Sequence, residues 1–216
     1  MRLSTFLLVT ASMFVLVMGS CGAMGMSFTQ GGDASTASVD AGGARPPGAA
    51  GGDVAAPTAN CAADIRQQGL PASMAPEGQS RSTHLTPRSQ NVRSQVEEKF
   101  DGRFESIGGW RPGPDAYSDD HGCGRALDVM ISGLGKASNA EQTANGFAIS
   151  SWAIANAKVL GVHYIIFQQC IWNVQRASES GCGNVPAGTD AKGWRSMSSR
   201  GSNTQNHYDH VHISMW

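Results

Sequence analysis

The sequence predicts an α+β domain built on a small, mainly antiparallel sheet flanked by helices. Three observations predict it. Two segments carry helix-start signals followed by apolar residues at helical spacing, four short apolar runs have strand character, and helices and strands follow no regular βαβ alternation. All five tryptophans fall within residues 61–216, a stretch long enough to build one sizeable core.

The first helix is expected from Thr86 as N-cap and Pro87 at the first helical position. Val92, Val96 and Phe100 then recur every four residues up to Asp101-Gly102. The second is expected from the capping-box pattern Ser138-x-x-Glu141 and runs to Leu160, stopped by Gly161. Ala148, Trp152, Ala155 and Val159 form its expected stripe, and Phe147, Ile149 and Ile154 make it apolar elsewhere, as in a central buried helix. The expected strands are Phe104 to Ile107, Ala126 to Ile131, His163 to Phe167 and Val211 to Ile213, rich in β-branched and aromatic residues.

Upstream of this domain the composition changes twice. Residues 1–26 place Arg2 before the apolar run Phe6 to Met18, the layout of a signal peptide. Met18-Gly19-Ser20-Cys21 partly matches a lipoprotein cleavage box, and the same segment is long enough to stay as an N-terminal anchor. Residues 27–60 are mostly Gly, Ala, Ser, Thr and Pro and bury too little to offset ordering entropy, so they read as a disordered linker. The chain is expected to be exported to the cell surface or secreted, touching a membrane only through its N-terminal segment.

Removing or lipidating Cys21 leaves Cys61, Cys123, Cys170 and Cys182, an even set that an oxidising compartment would pair. Four cysteines allow three connectivities. Cys170 with Cys182 is preferred because they flank a Ser/Gly-containing loop, which leaves Cys61 to Cys123. Sixteen basic against seventeen acidic residues, with no Lys/Arg-rich run, exclude an electrostatic nucleic-acid binder.

The chemistry concentrates in two clusters. Asn206-His207-Tyr208-Asp209-His210-Val211-His212-Ile213 holds three of the six histidines, and His121-Gly122-Cys123-Gly124-Arg125-Ala126-Leu127-Asp128 adds a histidine and a carboxylate. A tight turn through Gly122-Cys123-Gly124 would place His121 on a loop and Asp128 on the strand after it. His210 and His212 would project from one face if Val211 is in a strand. One Asp and two His make three protein ligands for zinc and leave a fourth position open, as hydrolysis requires. His163 is expected to be a structural histidine on its strand, His84 to be solvated, and His207 either to support the site or to brace its loop.

The pattern His-x-x-Gly-x-Ala-x-Asp, then Asp-x-x-His with the final histidine inside His-x-His, resembles the zinc D-alanyl-D-alanine peptidase group. That fold is shared by vancomycin-resistance dipeptidases, phage endolysin peptidases and hedgehog signalling domains. The resemblance covers roughly Gly108 to Ser214, and its wording is also similar to that of a set of exported actinobacterial proteins with this C-terminal domain.

The resemblance implies His121, Asp128 and His212 as zinc ligands, Asp209 as the general base that takes a proton from the attacking water, and His210 as an aid near the transition state. Arg111, in Gly109-Trp110-Arg111, sits where the group has an arginine that polarises the scissile carbonyl. The implied activity is hydrolysis of cell-wall (peptidoglycan) peptides; the alternative is a non-catalytic surface binding module on the same scaffold. The chain departs from the group in two places. Ser118 lies three residues ahead of His121 with Asp120 in the adjacent slot, and the base is Asp rather than the Glu several members keep. Strand alternation would turn Asp209 away from His210 and His212 unless the strand starts after it or carries a bulge.

Overall fold

The computed structural model describes residues 53–112 and 119–216. The expected signal segment 1–26, most of the linker 27–60, Cys21 and Ser118 lie outside the described residues. Six strands form one sheet: β1 (Ser106–Gly108), β2 (Ala126–Met130), β3 (Val162–Phe167), β4 (Cys170–Asn173), β5 (Trp194–Ser196) and β6 (His210–Met215). They lie in the order β1-β2-β6-β3-β4-β5, every neighbouring pair antiparallel. Among the described residues four α-helices accompany the sheet: α1 (Ala59–Gln67), α2 (Pro87–Lys99), α3 (Ala140–Ala155) and α4 (Ala157–Leu160). The α+β class and the antiparallel sheet are therefore as the sequence predicts.

Alternation along the strands divides the sheet into two faces. Leu127 and Val129 of β2, Ile165 and Phe167 of β3, and Val211 and Ile213 of β6 are fully buried and join Phe147, Ala153 and Leu160 of α3 and α4 in one core. The opposite face of the same strands carries Asp128, His210 and His212, and this is where the chemistry lies.

Helix α2 starts as expected, with the Thr86 side chain accepting from Ser89 N–H and Val92 and Val96 wholly buried. The second expected helix differs in three respects. Its capping box is Asn139 with Gln142, one residue past Ser138, because Asn139 Oδ1 and Gln142 Oε1 each accept the other's backbone N–H. It breaks at Asn156, whose side chain donates back to Trp152 O, so 157–160 is a separate turn. Its buried residues are Gly146, Phe147, Ile149, Ser150 and Ala153, a face rotated from the expected stripe, and Val159 is 85% exposed.

That rotation has a steric cause. A Cβ on Gly146 would lie 2.3 Å from Phe167 Cζ, so the glycine is what lets the ring of β3 seat against α3.

The described chain begins eight residues before Cys61. Ala55 N–H donates to Gln79 O, Val54 bridges Ser80, and the Asp53 carboxylate accepts from Ser80 and Ser82 hydroxyls. Helix α1 is capped by Thr58 and includes Cys61. Two disulfides, Cys61–Cys123 and Cys170–Cys182, match the preferred pairing. Such cross-links persist in oxidising compartments. Among the described residues no helix is long and apolar enough to cross a membrane.

Candidate metal centre

His121 sits in the turn before β2, and that turn is held tightly. Gly124 adopts φ +67, and a Cβ there would meet His84 O at 2.1 Å, so glycine is required where the turn packs under the 80–85 segment. Arg125 N–H donates to Asp120 O, and the Cys61–Cys123 disulfide fastens the turn to α1. Two strands supply the other residues. Asp128 and His212 are direct register partners between β2 and β6, and His210 faces Met130 two places along, on the same face.

The three expected ligands meet. His212 Nδ1 is 3.0 Å from Asp128 Oδ1, His121 Nε2 is 3.3 Å from the same oxygen, and the two imidazole nitrogens are 3.2 Å apart. All three residues are buried, and together they are a group that could hold a metal ion. His121 Nδ1 lies 2.6 Å from Gly109 O; a carbonyl only accepts, so Nδ1 carries the hydrogen and Nε2 of the neutral ring presents a lone pair. Three acceptor atoms therefore converge with at most one shared hydrogen among them when both rings are neutral. Burial pushes the Asp128 carboxyl up, but contacts with His121 and His212 outweigh that and hold it well below the usual range. A buried carboxylate is stable only beside cationic partners; the Arg111 guanidinium supplies one at Oδ2, and the atoms gathered at Oδ1 could hold a metal ion.

Around the cluster is an open cleft of about 360 Å³, lined by Arg111, Tyr164, Arg200, Thr204, His207 and His210 as well as the ligand imidazoles. Arg111 Nη2 is 3.1 Å from Asp128 Oδ2. The Tyr164 ring stacks on His212 at 5.4 Å between centroids, and its hydroxyl donates to Asp120 Oδ2, which also accepts from Ser214. Asp120 is in turn within 2.6 Å of Arg125, which also reaches Asp64 of α1. His212 is thus held from behind by a buried polar network.

Asp209 precedes β6, which begins at His210, so the strand starts after it as the sequence pattern required. Its side chain is wholly buried and both oxygens are engaged: Oδ1 is 2.6 Å from His210 Nδ1, and Oδ2 accepts from Gly135 N–H and Thr204 Oγ1. Burial pushes this carboxyl up, but the bonds from Thr204, His210 and Gly135 outweigh it and hold it below its ordinary value. Asp209 therefore reaches the cleft through His210, whose Nε2 stands 3.5 Å from Asp128 Oδ1.

The remaining histidines separate clearly. His207 is buried on the cleft wall in the left-handed backbone region, φ +58, and its Nδ1 has no hydrogen-bond partner among the described residues. Burial, then the charges of His212 and His210, push it down to about 3. His163 stacks on Trp216, away from the site. His84 is exposed as expected and stacks on Trp110.

Fold and site define an antiparallel α+β domain with a buried His-Asp-His cluster that could hold a metal ion. The chain belongs to the family described as VldE, C-terminal domain, whose family model matches residues 81–208. That match includes His121 and Asp128 and ends just before β6. An "Uncharacterized secreted protein" of Arthroderma benhamiae (strain ATCC MYA-4681 / CBS 112371) is 30% identical over 105 residues, covering 44% of this chain and 39% of that relative. The chain thus spans well under half of that relative's length. No solved structure matches.

Proposed function

We propose that this is an exported zinc peptidase of the D-alanyl-D-alanine peptidase type, acting on cell-wall peptides. The observation that carries the proposal is the convergence of His121 Nε2, Asp128 Oδ1 and His212 Nδ1, at 3.0–3.3 Å from one another, where the two imidazoles line an open cleft. Nitrogen and oxygen ligands about 2.0–2.1 Å from zinc span tetrahedral edges of about 3.3 Å, and a His₂Asp set leaves the fourth position free. Two imidazoles favour zinc over the harder divalent ions. The two disulfides, and the resemblance to a secreted relative, support export.

A bound zinc ion would supply Lewis-acid activation of water and of the scissile carbonyl. The chain's own residues do the rest. His210, with Nδ1–H held by Asp209, keeps its Nε2 lone pair toward the cleft and takes the proton of the attacking water. Asp209 stabilises the imidazolium that results, while its other bonds keep it ionised and immobile. As the water oxygen bonds to the carbonyl carbon and the C–N bond breaks, His210 returns its proton to the leaving amine. Arg111 stands at the cleft beside Asp128 and opposes the negative charge that develops on the carbonyl oxygen.

The test is hydrolysis of peptidoglycan stem and cross-bridge peptides alongside metal content. Wild type is expected to hold about one zinc per chain and cut at least one such peptide. His210→Gln and Asp209→Asn are expected to keep the metal and lose about 10²- to 10⁴-fold in kcat. Full activity in metal-bearing His210→Gln overturns the proton path. A metal-bearing wild type that binds wall peptides without cutting them favours the binding module.

A further inference from the structure

Resting on the reading of the cleft as a peptidase site, we propose that Arg200 is a specificity-determining residue that binds the free carboxylate terminus of the substrate peptide. The cleft then releases C-terminal residues rather than cutting within a chain.

Charge is the first ground. Among the described residues two arginines and four histidines line the cleft, and no carboxylate does. Arg111 pairs with Asp128 Oδ2 at 3.1 Å and serves the scissile carbonyl in the proposed mechanism. The other ion pairs of described arginines engage Arg88, Arg93, Arg125, Arg176 and Arg195, so Arg200 forms none among the described residues. A guanidinium at a cleft with no ion-pair partner among the described residues is suited to a bidentate contact with a carboxylate.

Placement is the second ground. Although exposed, Arg200 is on a braced segment: its backbone N–H donates to Asn206 Oδ1 at 2.7 Å, and Asn206 Nδ2 donates to Ser199 Oγ. Asn206 is only 5% exposed, and its carbonyl accepts from Gln169 N–H in the turn between β3 and β4. Gln169 is bonded through both its backbone and its side chain to Met197. The same segment continues through Thr204, which holds Asp209, to His207 on the cleft wall. The position of Arg200 is therefore set by the elements that position His210, and the guanidinium sits on the same cleft as the ligand cluster.

The experiment uses the zinc-loaded chain and one peptide ending in D-alanine, supplied as the free acid and as the C-terminal carboxamide. Binding is followed by calorimetry and hydrolysis by product release, for wild type, Arg200→Gln and Arg200→Lys. Wild type is expected to prefer the acid by about tenfold, the low end for a charge-assisted contact at an exposed rim. Arg200→Gln is expected to erase that preference through KM with kcat within about twofold and zinc content unchanged, and Arg200→Lys to keep part of it. A preference that survives Arg200→Gln, or a wild type with none, overturns the proposal. If neither peptide is cut, the peptidase reading fails by itself. A calorimetric preference for the acid that Arg200→Gln removes then still supports Arg200 as the carboxylate anchor, and its absence overturns that role.

Discussion

Asp128 and His212 face each other directly across the β2–β6 ladder, with Asp128 Oδ1 and His212 Nδ1 3.0 Å apart. Pairing in register fixes two of the three candidate ligands on one rigid surface, and only His121 depends on a turn. Metal binding should accordingly stabilise the fold more than it reshapes it. At a free-metal concentration about 100-fold above Kd, mass action contributes about 2.7 kcal/mol, which corresponds to a rise in Tm of about 5–10 °C for a domain of this size. Scanning calorimetry with zinc and with a chelator checks it. An unchanged Tm in wild type, or an equal shift in His212→Ala, would count against the site.

The Cys61–Cys123 disulfide joins α1 to the turn that carries His121, closing a separation of 62 residues. Replacing both cysteines by serine should cost about 2–4 kcal/mol. It should also weaken metal binding, because the turn loses its tie beside the ligand. The Cys170–Cys182 link lies on β4 and the loop after it, so Cys170→Ser with Cys182→Ser should leave metal affinity nearly unchanged. Competition titration with a chromogenic chelator distinguishes the two, and equal losses in both double variants would refute the difference.

Gly146 lies inside helix α3, where alanine would ordinarily gain about 1 kcal/mol. Here the added Cβ would lie 2.3 Å from Phe167 Cζ. Gly146→Ala should therefore destabilise, by about 1–3 kcal/mol. Urea denaturation reads the sign directly, and a higher midpoint in the variant would mean that Phe167 yields at little cost.

His163 is buried against Trp216, and burial pushes it down to about 4 from an ordinary 6.5, with Asp120 opposing and Arg125 reinforcing the shift. The folded state favours the neutral ring. Its contribution is therefore complete above about pH 6.5 and is lost as pH falls through the interval down to about 4, amounting to about 2 kcal/mol after allowance for screening. Chelated wild type and His163→Phe, compared in urea at pH 7.5 and 4.5, isolate this contribution. The variant should lose less stability on acidification, and parallel losses would assign the pH dependence elsewhere.

The fold class, helix α2 and four of the six strands were legible because local patterns produce them. Thr86-Pro87 with Val92 and Val96 is a cap and stripe readable within a dozen residues, and Ala126–Met130 and His210–Met215 are apolar runs of strand length. Helix α1 escaped notice because its composition resembles the glycine- and alanine-rich segment before it, and its order comes from Cys61–Cys123 and the Arg125–Asp64 bridge. Strand β5 is three residues long and exists through pairing with β4, which no local signal encodes. The rotation of α3 was set by a distant ring, Phe167, seating at Gly146.

By itself the sequence determined the donor types and their strand spacing: a His-Gly-Cys-Gly turn before Asp128, and two histidines separated by one residue on one face of a strand. Only the tertiary structure decided what those donors meet. It set the β2–β6 register that pairs Asp128 with His212, and the Gly109 carbonyl that fixes the tautomer of His121. It turned the Asp209 carboxylate onto His210, Thr204 and Gly135, and brought Tyr164 and Arg200 to the cleft from separate elements. The physical reason is that spacing along a chain specifies which face a side chain takes, whereas the partners across that face come from segments whose approach is set by packing of the whole core.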